Sequence, residues 1–126
     1  MDLSRYWKTI VDTLQDGVMV VDPRGRILAV NRSAERLTGY RAAELKGKSC
    51  RVLDCTGCRI IGKGPAEKWC GLYAYGDVRA KKCLITNKEN RTVNIIKNAS
   101  VLRDENGKII GAVETLTDMS DIVRQQ

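Results

Sequence analysis

The sequence predicts an α+β domain in which short helices pack on one face of an antiparallel sheet. Three observations lead to this fold class. The chain has 126 residues, which suits a single domain. One amphipathic helical pattern is followed by two apolar runs that a short turn separates. Three longer strand patterns lie near the C-terminus, and Asn106-Gly107, a dipeptide typical of tight hairpins, separates the last two.

The first element is predicted to be a helix, because apolar residues recur at steps of three and four. They form one stripe: Leu3, Trp7, Ile10, Val11 and Leu14. Two short strands are then expected at 18–21 and 27–30, on either side of a turn that contains Pro23 and Gly25.

Two short helices are predicted after these strands. Asn31 is placed to cap a helix over 32–37, which Gly39 ends. A second helix covers 42–45. Residues 48–76 are the least regular part of the chain, with one helical pattern at 66–73, and the remaining strands are expected at 78–86, 92–102 and 109–116.

The composition excludes several classes of function. The chain has no histidine, so Ser-His-Asp or Cys-His catalysis, His-ligated haem and mixed Cys/His zinc sites are all ruled out. No general base, nucleophile–base pair or phosphate-binding loop is visible, so we expect no enzyme activity. No apolar run is long enough to span a membrane, and the N-terminus lacks the apolar core of a signal peptide, so the expected location is the cytoplasm.

Positive charge and cysteine are concentrated in the same segment. Residues 46–83 contain nine basic and three acidic residues, and they include every cysteine of the chain: Cys50, Cys55, Cys58, Cys70 and Cys83. Basic surroundings lower the pKa of thiols and offset the negative charge of metal-bound thiolates. Since no nucleic-acid-binding motif accompanies the charge, direct nucleic-acid binding is not expected.

The cysteine spacing predicts a thiolate metal site. Cys55 and Cys58 form a C-x-x-C pair across a turn, and two more thiolates would complete a tetrahedral set. The predicted ligands of a zinc ion or iron–sulfur cluster are Cys55, Cys58, Cys70 and Cys83, with Cys50 as a further ligand or redox thiol.

Two other interpretations of the cysteines stay open. Cys55 and Cys58 could form a reversible disulfide without metal. The thiols could also be small buried side chains without a chemical role. Structural disulfides are disfavoured, because the number of cysteines is odd and the expected compartment is reducing.

Several sequence blocks, in this order, resemble a PAS sensor domain over about residues 6–122. The blocks are 17–22 (GVMVVD), 30–34 (VNRSA), 37–40 (LTGY), 44–47 (ELKG), 102–111 (LRDENGKIIG) and 117–120 (TDMS). The resemblance implies a five-stranded antiparallel sheet with a pocket between the sheet and the short helices. It also implies signal input in bacterial histidine kinases or AAA+ transcription activators.

The resemblance divides the chain into an N-terminal flanking helix (1–15), a PAS domain (16–118) and the start of a linker helix to an effector domain (119–126). The amphipathic N-terminal helix could supply a dimer face, so a homodimer formed through this helix is expected. Oxidation, loss or rearrangement of the metal centre would shift the helical segment against the sheet and so reach the terminal helix. The competing function is a metal-free or zinc-stabilised interaction module that dimerises or binds a partner through the same helix.

The spacing from Cys55 to Cys70 is similar to that of cluster-binding PAS domains in oxygen-sensing kinases. Tyr73 stands where those domains have their fourth cysteine, so Cys83 or Cys50 must replace it.

Residues 47–54 are similar to the flavin-adduct motif of light-oxygen-voltage domains, with Cys50 at the reactive position. The family's flavin-binding amides are replaced by Ser49, Asp54 and Leu116. These differences disfavour flavin. Lys97 and Asn98 interrupt an apolar strand, and one of them could contact a polar or anionic ligand if it faces the pocket.

Overall fold

The computed structural model describes residues 2–56 and 77–120. Its strands are β1 (Gly17–Val21), β2 (Ile27–Val30), β3 (Asp77–Thr86), β4 (Thr92–Arg103) and β5 (Ile109–Asp118). They form an antiparallel sheet in the order β2-β1-β5-β4-β3. The helices are α1 (Trp7–Thr13), α2 (Arg32–Thr38) and α3 (Ala42–Leu45), with 3-10 helices at Leu3–Arg5 and Cys50–Leu53.

These elements confirm the predicted α+β fold class and the predicted strands, with boundaries that differ by at most two residues. The N-terminal helical pattern is divided, because a 3-10 turn at Leu3–Arg5 precedes α1. The 3-10 helix Cys50–Leu53 was not predicted. The helical pattern at 66–73 lies outside the described residues, as does most of the predicted C-terminal helix.

The core lies between the sheet and the short helices. Large side chains that are less than 2% exposed come from both layers: Ile27, Leu45, Ile85, Ile95 and Leu116. Helix α2 packs against β1, and α3 packs against β2. None of the helices in the described part of the chain has the length and apolar character that crossing a bilayer requires.

The side chain of Asn31 joins three elements. Asn31 is 1% exposed, and its Oδ1 accepts the backbone N–H of Val18 at 2.8 Å and that of Ala34 at 2.9 Å. Its Nδ2 donates to the carbonyls of Val11 at 2.7 Å and Asp16 at 3.0 Å. The residue therefore caps α2, as predicted, and also attaches α1 and the start of β1 to that cap.

Glycine allows close packing on both sides of β1. A Cβ added to Gly17 would lie 3.2 Å from the Cα of Ala34, so Gly17 lets α2 approach the sheet. A Cβ added to Gly111 would lie 2.4 Å from the carbonyl oxygen of Val21, so Gly111 lets β5 approach the end of β1. Both contacts are with backbone atoms, which cannot rotate away.

Strand β3 is an edge strand with an irregularity in its pairing. The register with β4 shifts between Val78 and Lys81, and Ala80 has a positive φ of 49°. The side-chain Oδ1 of Asn98 accepts the N–H of Ala80 at 2.9 Å, which stabilises this bulge. Past the bulge, Cys83 and Ile85 are the residues of β3 that face the core.

The turn between β1 and β2 is organised by one carboxylate. Asp22 accepts the backbone N–H groups of Arg24 and Arg26, each at 2.9 Å, and the Nε of Arg26 at 2.8 Å. Partial burial raises the pKa of Asp22. The hydrogen bonds from Arg26 and Arg24 lower this pKa by a larger amount, so the net shift is downward. The ionised carboxylate therefore stabilises the turn at neutral pH, and this contribution is lost as the pH falls through the lowered pKa.

We predict that Asn31→Ala lowers the free energy of unfolding by about 2–4 kcal/mol, because it removes a helix cap and the partners of several buried backbone groups. Urea denaturation followed by circular dichroism measures this change. Asn31→Asp keeps the oxygen that accepts from Val18 and Ala34 but sets its other carboxyl oxygen against the carbonyls of Val11 and Asp16, so it should also be destabilising at neutral pH and regain stability as the carboxyl is protonated at lower pH. An Asn31→Ala variant as stable as the wild-type protein would contradict the role of these hydrogen bonds.

Candidate functional site

Cys55 and Cys83 meet on the inner face of the sheet. Cys83 lies on β3, and Cys55 follows the 3-10 helix Cys50–Leu53 by two residues. Their exposed fractions are 4% for Cys55 and 7% for Cys83. The Sγ of Cys55 donates to the Sγ of Cys83 at 3.4 Å, although the residues are 28 positions apart in the sequence. The fold therefore brings together two of the four cysteines that were predicted as ligands.

The backbone is fixed on both sides of Cys55. Asp54 adopts the left-handed conformation, with φ 46°, and ends the 3-10 helix. Thr56 then contacts β3 directly, because its Oγ1 accepts the backbone N–H of Leu84 at 3.0 Å. Consecutive residues 55 and 56 thus contact consecutive residues 83 and 84, which holds the thiol of Cys55 against β3.

The separation of the two sulfur atoms suits chemistry that needs a pair of thiolates. In a tetrahedral site with metal–sulfur bonds of about 2.3 Å, neighbouring sulfur atoms are about 3.8 Å apart. The observed 3.4 Å is close to that separation, and it is well above the ~2.05 Å of a disulfide bond. The two side chains can therefore share a metal ion with a small change in geometry.

The remaining cysteines contribute differently. Cys58 and Cys70 lie outside the described residues, so their part in the predicted ligand set stays a prediction. Cys50 begins the 3-10 helix and is partly buried. Within ranges 2–56 and 77–120, no three cysteine or carboxylate side chains cluster closely enough to hold a metal. A complete site therefore needs ligands from the segment that contains Cys58 and Cys70.

A buried ion pair lies on the same inner face. The Nζ of Lys97 on β4 is 2.9 Å from Oε1 of Glu114 on β5, and the side chains are 9% and 5% exposed. Lys97 therefore faces the core, and the adjacent Asn98 is exposed on the other face of the sheet. Of these two polar residues, Lys97 is the one that could contact a ligand in the interior. Burying two charges is costly, and replacing such a pair by apolar side chains is often neutral or stabilising. A structural role alone therefore explains this pair poorly.

The thiol pair and the ion pair are neighbours on the sheet. Cys83 is the register partner of Ile95, and Lys97 is the next residue on β4 that faces the same side. Such diagonal neighbours have Cα atoms about 7–8 Å apart. Glu114 extends the arrangement to β5, the strand that leads to the C-terminal end of the domain. The candidate site is therefore a row of thiols and charges that crosses β3, β4 and β5.

Glu114 was missed by the sequence analysis. Its position could be inferred from parity, because Ala112, Glu114 and Leu116 alternate with more exposed residues along β5. Its partner could not be inferred, because contact with Lys97 depends on the β4–β5 register, in which Glu114 lies opposite Ala99.

Two described side chains at the positions of the family's flavin-binding amides do not fit a flavin ring. Leu116, at the position of the family's ring-binding glutamine, is 1% exposed and packs in the core, where it offers no hydrogen-bonding group. The hydroxyl of Ser49 accepts the N–H of Arg51 and caps the 3-10 helix. Cys50 therefore lies at the position of a flavin-reactive cysteine without the polar groups that hold the ring.

Comparison with known proteins finds a family match over most of the chain and relatives of one segment. A family model described as the PAS fold matches residues 5–119. The cell-division control histidine kinase PdhS of Brucella ovis is 54% identical over 46 residues, which are 36% of this chain and 4% of the kinase. The PdhS proteins of Brucella canis and Brucella suis match with the same values. The chain therefore corresponds to only a small part of these kinases.

Solved structures share the fold at low sequence identity. A PAS domain from Colwellia psychrerythraea covers 95% of this chain and 99% of its own, with a TM-score of 0.79 and 19% identity. A domain of the sensory box sensor histidine kinase/response regulator of Geobacter sulfurreducens covers 91% and 93%, with a TM-score of 0.69 and 19% identity. An RNA-binding light-oxygen-voltage receptor covers 98% of this chain and 34% of its own, with a TM-score of 0.73 and 22% identity.

We predict that Lys97→Met lowers the free energy of unfolding by about 3–5 kcal/mol, because it removes the ammonium partner of a buried carboxylate. The double variant Lys97→Met/Glu114→Leu should recover most of this loss. Lys82→Met, a change of an exposed lysine on the same sheet, is the control and should change stability by less than about 0.5 kcal/mol. Urea denaturation measures all three, and an additive double variant would contradict the coupling of the two charges.

Proposed function

Because the chain belongs to the PAS family, whose model covers residues 5–119, we propose that it is the sensory input domain of a histidine kinase. Two similarities support the kinase over an AAA+ activator as the effector. One is the 46-residue segment that is 54% identical to PdhS. The other is the structural likeness to a sensor histidine kinase domain from Geobacter sulfurreducens. In this proposal the domain receives a signal, and catalysis belongs to the kinase region of a longer protein.

The signal in this proposal enters at a thiolate centre. Cys55 and Cys83 provide two ligands, and Cys58 and Cys70 provide the other two, around zinc or an iron–sulfur cluster. The observation that carries this proposal is the 3.4 Å contact between two buried thiols from distant parts of the sequence. An iron–sulfur cluster supplies one-electron redox chemistry, whereas zinc supplies a stable cross-link. Four thiolates need a reducing compartment, which favours the cytoplasm.

The sheet offers a path from the thiolates to the end of the domain. Cys83 is held by β3, which pairs with β4, and Lys97 on β4 is joined to Glu114 on β5. A change in charge at the thiolates alters the electrostatic environment of this buried ion pair. Since β5 ends at Asp118, just before the C-terminal segment, a shift in the ion pair is passed to the region that would lead to the effector.

We predict that protein purified without oxygen carries stoichiometric zinc, or iron with acid-labile sulfide. Metal analysis and a visible spectrum measure this. Cys55→Ser and Cys83→Ser should each lose the metal, because each removes one thiolate of the set. Cys50→Ser is the matched control and should keep it. Metal-free wild-type protein with an intact fold would contradict the metal centre, while leaving the kinase assignment untouched.

We also propose that the N-terminal segment forms a dimer with a second copy of the chain. Helix α1 has no buried residue. The large apolar side chains of the N-terminal segment are 45–54% exposed: Leu3, Tyr6, Trp7, Ile10 and Leu14. Two copies related by a twofold axis can cover each other's stripe, because a symmetric interface uses the same surface on both subunits. This stripe is also the surface that the alternative function, an interaction module, would use.

We predict that Ile10→Asp shifts the protein from dimer to monomer, because a carboxylate in an apolar interface is costly to desolvate. Sedimentation velocity over a range of concentrations measures the change. Thr9→Asp is the control, since it adds the same charge to the opposite side of α1 and should leave the dimer intact. A wild-type protein that is monomeric at every concentration would contradict dimerisation through this helix.

A further inference from the structure

We propose that Cys55 and Cys83 form a reversible disulfide when the metal-free domain meets a peroxide. This inference deepens the proposed function, since it uses two of the same thiols, but it requires no metal. The sequence alone had favoured Cys55 and Cys58 as a redox pair because of their C-x-x-C spacing. In the described part of the structure, the thiol of Cys55 contacts the thiol of Cys83.

Three features of the structure favour this bond. The sulfur atoms are 3.4 Å apart and must approach by about 1.4 Å to reach the length of a disulfide. The backbone beside them is already joined, because Thr56 accepts the N–H of Leu84. Both thiols are also buried, so a small peroxide meets less steric hindrance at them than a large thiol reagent or a protein partner would. Each thiol is therefore already in contact with a possible reaction partner, the other thiol.

The reaction proceeds in two balanced steps. The thiolate of one cysteine attacks an oxygen of hydrogen peroxide, the O–O bond breaks, and a sulfenic acid and hydroxide are formed. The second thiolate then attacks the sulfenic sulfur, the S–S bond forms, and the S–O bond breaks to release a second hydroxide. Two protons from the thiols convert both hydroxides to water. The thiols lose two electrons, and the peroxide gains them.

The disulfide would make metal binding and oxidation mutually exclusive. It removes two of the four thiolates of the proposed centre, so the oxidised domain cannot hold the ion with the same ligands. It also joins residue 55 to residue 83 covalently and closes the intervening segment, which contains Cys58 and Cys70, into a loop. The pair would therefore act as a switch between a metal-binding form and an oxidised form.

The test begins with chelator-treated wild-type protein that is exposed to hydrogen peroxide, alkylated under denaturing conditions and then digested with trypsin without reductant. Cleavage after Arg51, Arg59, Lys82 and Lys88 gives one peptide with Cys55 and Cys58, and another with Cys83. The expected product joins these two peptides, with Cys58 alkylated. A single peptide with an internal Cys55–Cys58 disulfide, or no disulfide at all, would overturn the proposal.

Variants confirm the pairing and its reversal. Cys58→Ser should keep the cross-link, and Cys83→Ser should abolish it, while Cys50→Ser should leave it unchanged. Dithiothreitol should release both peptides. The wild-type map needs no variant, so a folding defect in Cys83→Ser would not obscure the result.

Zinc binding by the same samples separates this proposal from the metal centre. Oxidised protein should lose zinc uptake, and reduction should restore it. Cross-linking in a protein that binds no metal would support the disulfide and contradict the centre. Metal binding without cross-linking would support the centre and contradict the disulfide.

Discussion

The buried amide of Asn31 is the interaction on which the arrangement of the domain depends. Its four hydrogen bonds place the start of β1, the N-terminus of α2 and the end of α1 around one side chain. Because β1 lies between β2 and β5, its position also determines where the sheet continues. Further polar contacts hold α1 in place, including that between the Ser33 hydroxyl and the carbonyl of Leu14 at 2.7 Å. Helix α1 is thus attached by hydrogen bonds, and its apolar stripe is left exposed.

Most of the fold could be predicted because its signals are local. The cap at Asn31, the left-handed Gly39 and the tight turn at Asn106-Gly107 each specify a boundary within a few residues. The 3-10 helix Cys50–Leu53 could not be predicted, because four residues are too few to show a periodicity. The exposure of α1 could not be predicted either, because an apolar stripe in the sequence does not show whether other residues of the same molecule cover it.

The candidate site was predictable only in part, because its contacts join distant strands. Cys83 was placed in the predicted ligand set with Cys55 from composition and clustering, and in the structure the two thiols are in contact. The β3–β4 bulge at Ala80 determines which residues of β3 face the core, and it turns Cys83 inward. Glu114 was missed because its contact with Lys97 depends on the β4–β5 register, which shifts at an irregularity between Leu102 and Arg103 that the sequence pattern does not indicate.

The basic segment has a consequence for solubility. Within the part of the chain that the structure describes, β3 lies at the edge of the sheet, and edge strands invite the sheets of other molecules to join them. Arg79 and Lys82 are exposed on this strand, and the bulge at Ala80 interrupts its regular backbone. Like charges would face each other if two such edges approached, and the bulge would misalign their hydrogen bonds. The strand that holds Cys83 is therefore protected against edge-to-edge aggregation, and self-association is left to surfaces away from the thiols.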